Sequence, residues 1–184
     1  MGKLILTVKS EIDEDTLLTI QEYANKVGAD YIEMDIPLNY TMYEFSHGIP
    51  PEIKNYNRIL YIHPKIEVKD HAPDIFSMFN SGICAVREEF HLGKKRVEQA
   101  SDYYGDYDWG QECFRSEVIL FSKEHLDIFD NDNEDLPFEI DINYLIQKRE
   151  EMILPLHVNW NFIYRWDSDF QLTSEESFFL NEGD

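Results

Sequence analysis

The sequence predicts an α/β protein, a three-layer α/β/α, Rossmann-like domain around a mostly parallel central sheet. Three observations lead there. Residues 4–8 and 59–62 are short unbroken apolar runs, the pattern of strands buried on both faces rather than half in water. Between the first run and the next apolar stretch lies a segment of helical period, so the chain opens as a β-α-β unit. Its 184 residues read as one domain, 1–184, large enough for a proper core and too small for two of ordinary size.

The first strand, residues 4–8, ends at Lys9-Ser10. Asp13, Glu14 and Asp15 then put negative charge at the start of a helix, where it complements exposed amide hydrogens. Leu17, Ile20, Tyr23, Ala24 and Val27 recur at spacings of three and four and give that helix one buried face; Gly28 stops it. Residues 29–34 supply the next strand. Residues 38–57 are polar and aromatic around Pro50-Pro51 and read as an irregular connection followed by a short helix over about 51–56. Pro64 lacks an amide hydrogen and restricts the residue before it, so the strand over 59–62 ends near His63 and the chain turns at His63-Pro64-Lys65. Further strands are expected over 82–86 and 114–121, and helices over 94–101, over 122–129 with Ser122 as cap, and over 139–147. Residues from about 167 to 184 read as an acidic tail.

Composition excludes some functions. Sixteen basic residues against thirty-seven acidic ones give a formal charge of −21, which repels nucleic acid and anionic membrane. No apolar run reaches eighteen residues and the N-terminus lacks a signal-peptide layout, so the expectation is a soluble, cytoplasmic protein without membrane insertion. Cys84 and Cys113 have neither zinc nor redox spacing and read as plain thiols. The acidic stretch 131–135 lacks the glycine and terminal glutamate of a calcium loop and reads as a solvated turn.

In open α/β sheets the ligand crevice opens at the carboxyl ends of the strands. That rule singles out the turn at His63 to Lys65 and, beside it, Thr7 and Lys9. The segment here also resembles a family. Arg58-Ile59-Leu60-Tyr61-Ile62 followed by Asp70-His71-Ala72-Pro73-Asp74-Ile75-Phe76 is similar to the signature of nucleotide-sugar glycosyltransferases of the GT-A fold, closest to glycosyltransferase family 8. Tyr23-Ala24 with Gly28-Ala29-Asp30-Tyr31, Val118 to Lys123, Asn143 and Trp160-Asn161 keep the same order and spacing. The resemblance implies a retaining hexosyltransferase that uses a nucleotide diphosphate sugar and an acceptor this chain does not reveal.

Four active-site elements depart from that pattern. Where the family carries Asp-x-Asp, which holds a divalent metal on the donor diphosphate, this chain has His63-Pro64-Lys65. Residues 42–45 offer no counterpart of the family's phosphate-side lysine. Arg115 and Glu117 replace an asparagine and a glycine near the transferred sugar, and the family's metal-binding histidine segment has no match. Lys65 opposes a dication but binds a diphosphate directly. The expectation is therefore a donor site without a metal or other cofactor: Thr7, Lys9, His63, Lys65 and Asn143 bind the donor, and Glu139, Asp141, Arg115 and Glu117 stand at the reacting centre. Tyr103, Tyr104 and Tyr107 could stack on a sugar or base, or pin a solvated loop. Two other readings stand beside this one: a catalytically inactive binding protein on the same scaffold, and a plain surface lysine at Lys65 beside a strand-end histidine at His63. A partner chain completing the site would make a homodimer.

Overall fold

The computed structural model describes residues 2–9, 14–88, 90–105, 112–131, 133–163 and 176–181. Nine strands and five α-helices alternate along them: β1 (Lys3–Val8), α1 (Glu14–Val27), β2 (Asp30–Met34), α2 (Met42–Gly48), β3 (Arg58–Ile62), β4 (Ile66–Val68), α3 (Ile75–Met78), β5 (Ile83–Arg87), α4 (Phe90–Tyr104), β6 (Phe114–Ser122), α5 (Phe138–Lys148), β7 (Ile153–Leu156), β8 (Phe162–Ile163) and β9 (Phe179–Asn181). Short 3₁₀ turns cover Pro51–Asn55, Lys123–Phe129 and Val158–Asn161.

Six strands form the central sheet in the order β2-β1-β3-β6-β5-β7. All run parallel except β6, which is antiparallel to both neighbours. The apolar runs are buried on both faces, as expected of a covered sheet. Leu4, Leu6, Ile59, Tyr61, Ile119 and Phe121 pack on one side against Met42 and Phe45 of α2 and Phe138, Ile142 and Ile146 of α5. Ile5, Leu60, Ile62, Val118 and Leu120 pack on the other against Ile20, Tyr23, Ala24 and Val27 of α1 and Ile75 and Phe76 of α3. The three-layer α/β/α arrangement is thus observed, and the alternation of one strand's residues between two cores is what the two-residue strand period demands.

Several elements escaped the sequence reading, among them β4, β7, α2 and β9. Helix α2 lies in the stretch expected to be irregular; a reciprocal capping box, with Thr41 on the Glu44 amide and Glu44 on the Thr41 amide, starts it. The expected acidic tail contains β9, which sits between β4 and β8 in a second, three-stranded sheet. Phe179 is fully buried there and meets Tyr23 and Trp160 edge-on at 5.3 and 5.4 Å. The helices over 94–101 and 139–147 are longer than expected, Phe90–Tyr104 and Phe138–Lys148.

Because β9 is the middle strand of its sheet, Phe179→Ala should lower stability by about 3–5 kcal/mol, read from the urea midpoint. A true tail would leave that midpoint where it is.

Candidate functional site at the carboxyl edge of the sheet

With five of six strands parallel, the ends of β1, β2, β3, β5 and β7 lie along one edge, and the antiparallel β6 begins there. The centre of that edge is the turn after β3. Its ladder ends as foreseen: the His63 amide donates to the Glu117 carbonyl of β6 at 2.8 Å, and Pro64 can make no further rung. The Ile66 amide closes the turn on the His63 carbonyl at 2.9 Å, and the Lys65 amide donates to His63 Nδ1 at 3.2 Å. The Tyr40 ring lies against the His63 ring, with centroids 6.4 Å apart and planes 29° off parallel. His63 is half-buried and Lys65 exposed.

Tyr40 and Tyr61 share a hydrogen bond between their hydroxyls behind this turn. Burial raises both hydroxyl pKa values above the usual tyrosine range, and the nearby carboxylates of Glu117 and Glu139 add to the effect. The pair stays neutral, forming a rigid wall with two acids beside it. Glu117 is fixed by the Asn161 amide, whose Nδ2 donates to Oε2 at 3.2 Å. Lys9 follows β1 at the same edge, exposed, its own amide bonded to the Met34 carbonyl at 2.8 Å.

Lys9, His63, Lys65, Glu117 and Glu139 therefore belong to one region. The other predicted site residues are placed differently. Thr7 is fully buried, on the α1 side of β1. Arg115 turns inward to Glu88, with Nε 3.7 Å from Oε1, while its NH1 holds the Asn161 carbonyl at 2.6 Å. Arg96 closes the same buried carboxylate from α4 at 3.0 Å. The Asn143 amide is a backbone clamp: Oδ1 accepts from the Phe114 amide at 2.9 Å and Nδ2 donates to the Phe114 carbonyl at 3.1 Å and the Glu139 carbonyl at 2.8 Å. Asp141 is two residues from Glu139 on α5, and residues so spaced do not share a helix face. It faces α4, accepting from the Tyr104 hydroxyl and from Asn133 Nδ2 at 3.0 Å. Burial pushes its pKa up to about 6, although both hydrogen bonds act the other way.

Tyr104 stacks on Tyr144 at 3.8 Å, while Tyr103 is exposed and bonds Asp135 at 2.8 Å; Tyr107 lies outside the described residues. Cys84 and Cys113 are buried and unpaired, and burial raises both thiol pKa values, that of Cys113 to about 11. Tyr40, Glu88, Arg96 and Asn161 were not singled out from sequence as site-building residues. Only Asn161 carried a signal, as part of the matched Trp160-Asn161 pair. A groove of about 880 Å³ lies at the opposite edge, floored by Ile49, Ile53, Leu126 and Phe129, and holds none of the predicted residues.

The divalent metal implied by the resemblance does not fit the turn. Pro64 offers no ligand side chain, Lys65 brings positive charge, and His63 Nδ1 already accepts a hydrogen bond. Among the described residues no three His, Cys, Asp or Glu side chains group as a metal site.

Solved structures share this architecture. A glycosyltransferase involved in the glycosylation of the major capsid of PBCV-1 superposes with a TM-score of 0.68 at 15% identity, over 100% of this chain and 96% of that one. The fold is the GT-A glycosyltransferase fold. The bifunctional glycosyltransferase WbbM in its apo form matches this GT-A chain with a TM-score of 0.60 at 10% identity, over 100% of this chain and 46% of that one. Mouse xyloside xylosyltransferase 1, also apo, gives 0.52 at 12% identity, over 99% and 97%. The sequence matches no protein-family model and no curated protein. No helix among the described residues is long and apolar enough to cross a membrane.

The raised pKa of Asp141 has a definite sign for stability. The folded state holds the proton more tightly than the unfolded one, so this group's contribution is full below about pH 4 and is lost as pH rises through about 6. Asp141→Asn removes that loss. The stability of the variant relative to wild type should climb by about 1–3 kcal/mol between pH 4 and 7, measured by urea denaturation across pH. A difference that does not change with pH would mean that Asp141 titrates normally.

Proposed function

We propose that the chain binds a nucleotide diphosphate sugar at the carboxyl edge of its sheet and transfers the sugar, without a divalent metal at the turn after β3. The observation that carries this reading is the convergence of Lys9, His63, Lys65, Glu117 and Glu139 at the edge where a GT-A domain opens its crevice. Cleaving the bond between sugar and diphosphate builds negative charge on the leaving oxygens, and preorganised positive groups or donors lower the barrier. Lys65 and Lys9 supply charge. Glu117 and Glu139 are the carboxylates on the sugar side, with Glu117 held by Asn161. By resemblance the reaction retains anomeric configuration.

A second reading, a non-catalytic binding protein on the same scaffold, is favoured by one specific observation. Arg115, Asp141 and Asn143, all expected in the site, are engaged in holding β6, α4 and α5 together.

Calorimetric titration with uridine and guanosine diphosphate sugars, with manganese and again with a chelator, separates the readings. Binding that survives the chelator is expected. Lys65→Ala should weaken it about tenfold, the effect of losing one charge-assisted hydrogen bond, without moving the melting temperature, since Lys65 is exposed. Silence in both titrations would favour the binding-protein reading, and manganese-dependent binding would return a metal to the site.

A further inference from the structure

The two outermost strands of the central sheet are finished differently. On one side β7 carries Pro155, which has no amide hydrogen to offer an incoming chain. On the other, β2 is five residues long, contains no proline and pairs with β1 in unbroken register from Asp30 to Met34. In a parallel ladder a residue sends its N–H and its C=O to the same neighbour, and successive residues alternate between sides. The Lys9 amide donates to the Met34 carbonyl at 2.8 Å, in a register that sets Val8 opposite Met34, so Met34, Ile32 and Asp30 face β1. Tyr31 and Glu33 therefore turn their N–H and C=O groups outward. Among the described residues no strand pairs with them there.

The side chains select the occupant. Residues 29–35 hold Asp30, Glu33 and Asp35, all exposed, and no basic residue. The Tyr31 hydroxyl donates to Glu33 Oε1 at 2.9 Å on one face of the strand, and Ile32 lies half-buried on the other, against the core beneath α2. Laid antiparallel on itself, β2 would bring two sets of carboxylates into one seam with no cation between them, and like charges across a strand pair destabilise it. The overall charge of −21 adds repulsion at longer range. A second copy of this chain is thus opposed. The strand that fits carries Lys or Arg at every second position, along the Glu33 face, with apolar side chains between them to cover Ile32.

We propose that β2 is a docking strand for a basic, extended segment of another protein, which adds to the outer side of the central sheet. Tyr31 and Glu33 supply the backbone groups of the new ladder, and Asp30, Glu33 and Asp35 supply the charge. In recognition of this kind main-chain bonds give affinity and alternate side chains give specificity. The acids that keep copies of this chain apart are the same groups that select the partner. This surface is separate from the donor site proposed at the carboxyl edge, and neither reading depends on the other.

The test follows amide hydrogen exchange, residue by residue, in the full chain with three synthetic peptides. One alternates lysine with valine, one glutamate with valine, and one lysine with proline, which keeps the charge but cannot pair as a strand. In the free chain the Tyr31 and Glu33 amides should exchange at least about tenfold faster than those of Ile32 and Met34. The lysine–valine peptide should slow the first pair about tenfold, and the other two peptides should leave them unchanged. Glu33→Lys, a change at an exposed side chain, should weaken the lysine–valine peptide about tenfold and let the glutamate–valine peptide bind. Tyr31 and Glu33 amides as slow as Ile32 in the free chain would mean that the strand is already covered. Slowing by both lysine peptides would reduce the effect to charge alone, and slowing by none would leave no docking strand. Protection that rises with protein concentration would give β2 to a second copy. Each of these outcomes overturns the proposal.

Discussion

The antiparallel insertion of β6 between β3 and β5 is the constraint on which the site depends. In a fully parallel sheet, every strand would reach the carboxyl edge from the same direction and contribute only its last residues. Reversing one central strand brings its beginning there instead. The register Ile62↔Val118 sets the Glu117 carbonyl beside the His63 amide, so one hydrogen bond both ends the β3 ladder and ties the turn to an acid-bearing strand. The pairing shifts between Ala85 and Arg87 on β5, an irregularity that twists and redirects a strand. Below it, Glu88 and Arg115 meet inside the protein and not in the crevice.

Buried arginines secure this arrangement at both edges. At the amino edge, Arg58 NH1 donates to the Gly82 carbonyl at 2.6 Å and to Ser122 Oγ at 2.7 Å, linking β3 with the start of β5 and the end of β6. At the carboxyl edge, Glu88 sits between Arg96 and Arg115. Removing one member of such a buried set costs about 3–5 kcal/mol, because a charge is left without its partner. Three of the sixteen basic side chains, Arg58, Arg96 and Arg115, are thus committed to the scaffold.

The sequence revealed five of the six strands of the central sheet because apolar runs have one economical explanation, and missed β7, whose Ile-Leu-Pro-Leu is interrupted by Pro155 and half exposed. It revealed the crevice edge because Pro64 marks a strand end. It concealed β4 and β9 because each is only three residues long and their pairing joins segments more than a hundred residues apart. Helix α2 was hidden for a different reason: its signal was the Thr41–Glu44 capping box, set among tyrosines and prolines that suggest a loop. For the site, position was legible and side-chain direction was not. Arg115 and Glu117 are two apart on one strand and were expected to act together, yet one enters a buried ion cluster and the other lies by Tyr40 and Tyr61. Asn143 was expected to bind the donor, and its amide is bonded to the backbone of Phe114 and Glu139.

The balance of charge and direction at the edge follows from exposure. Lys65 and Lys9 are in water, where a Coulomb interaction with a diphosphate is weakened by a high dielectric and by salt, and where the surrounding chain is strongly negative. Exposed ammonium groups attract an anion there with little directional preference. A half-buried imidazole on a turn closed by its own backbone bonds is screened less. Tyr40 and Tyr61 contribute by remaining neutral: with their hydroxyls paired, they add no third negative charge to Glu117 and Glu139 and present a fixed surface behind the ring. On the proposed reading, orientation of a diphosphate without an Asp-x-Asp pair would fall to groups whose geometry is set before the ligand arrives, and the His63 turn, with its backbone bonded to Glu117 and Ile66, and the paired tyrosines behind it are held in that way.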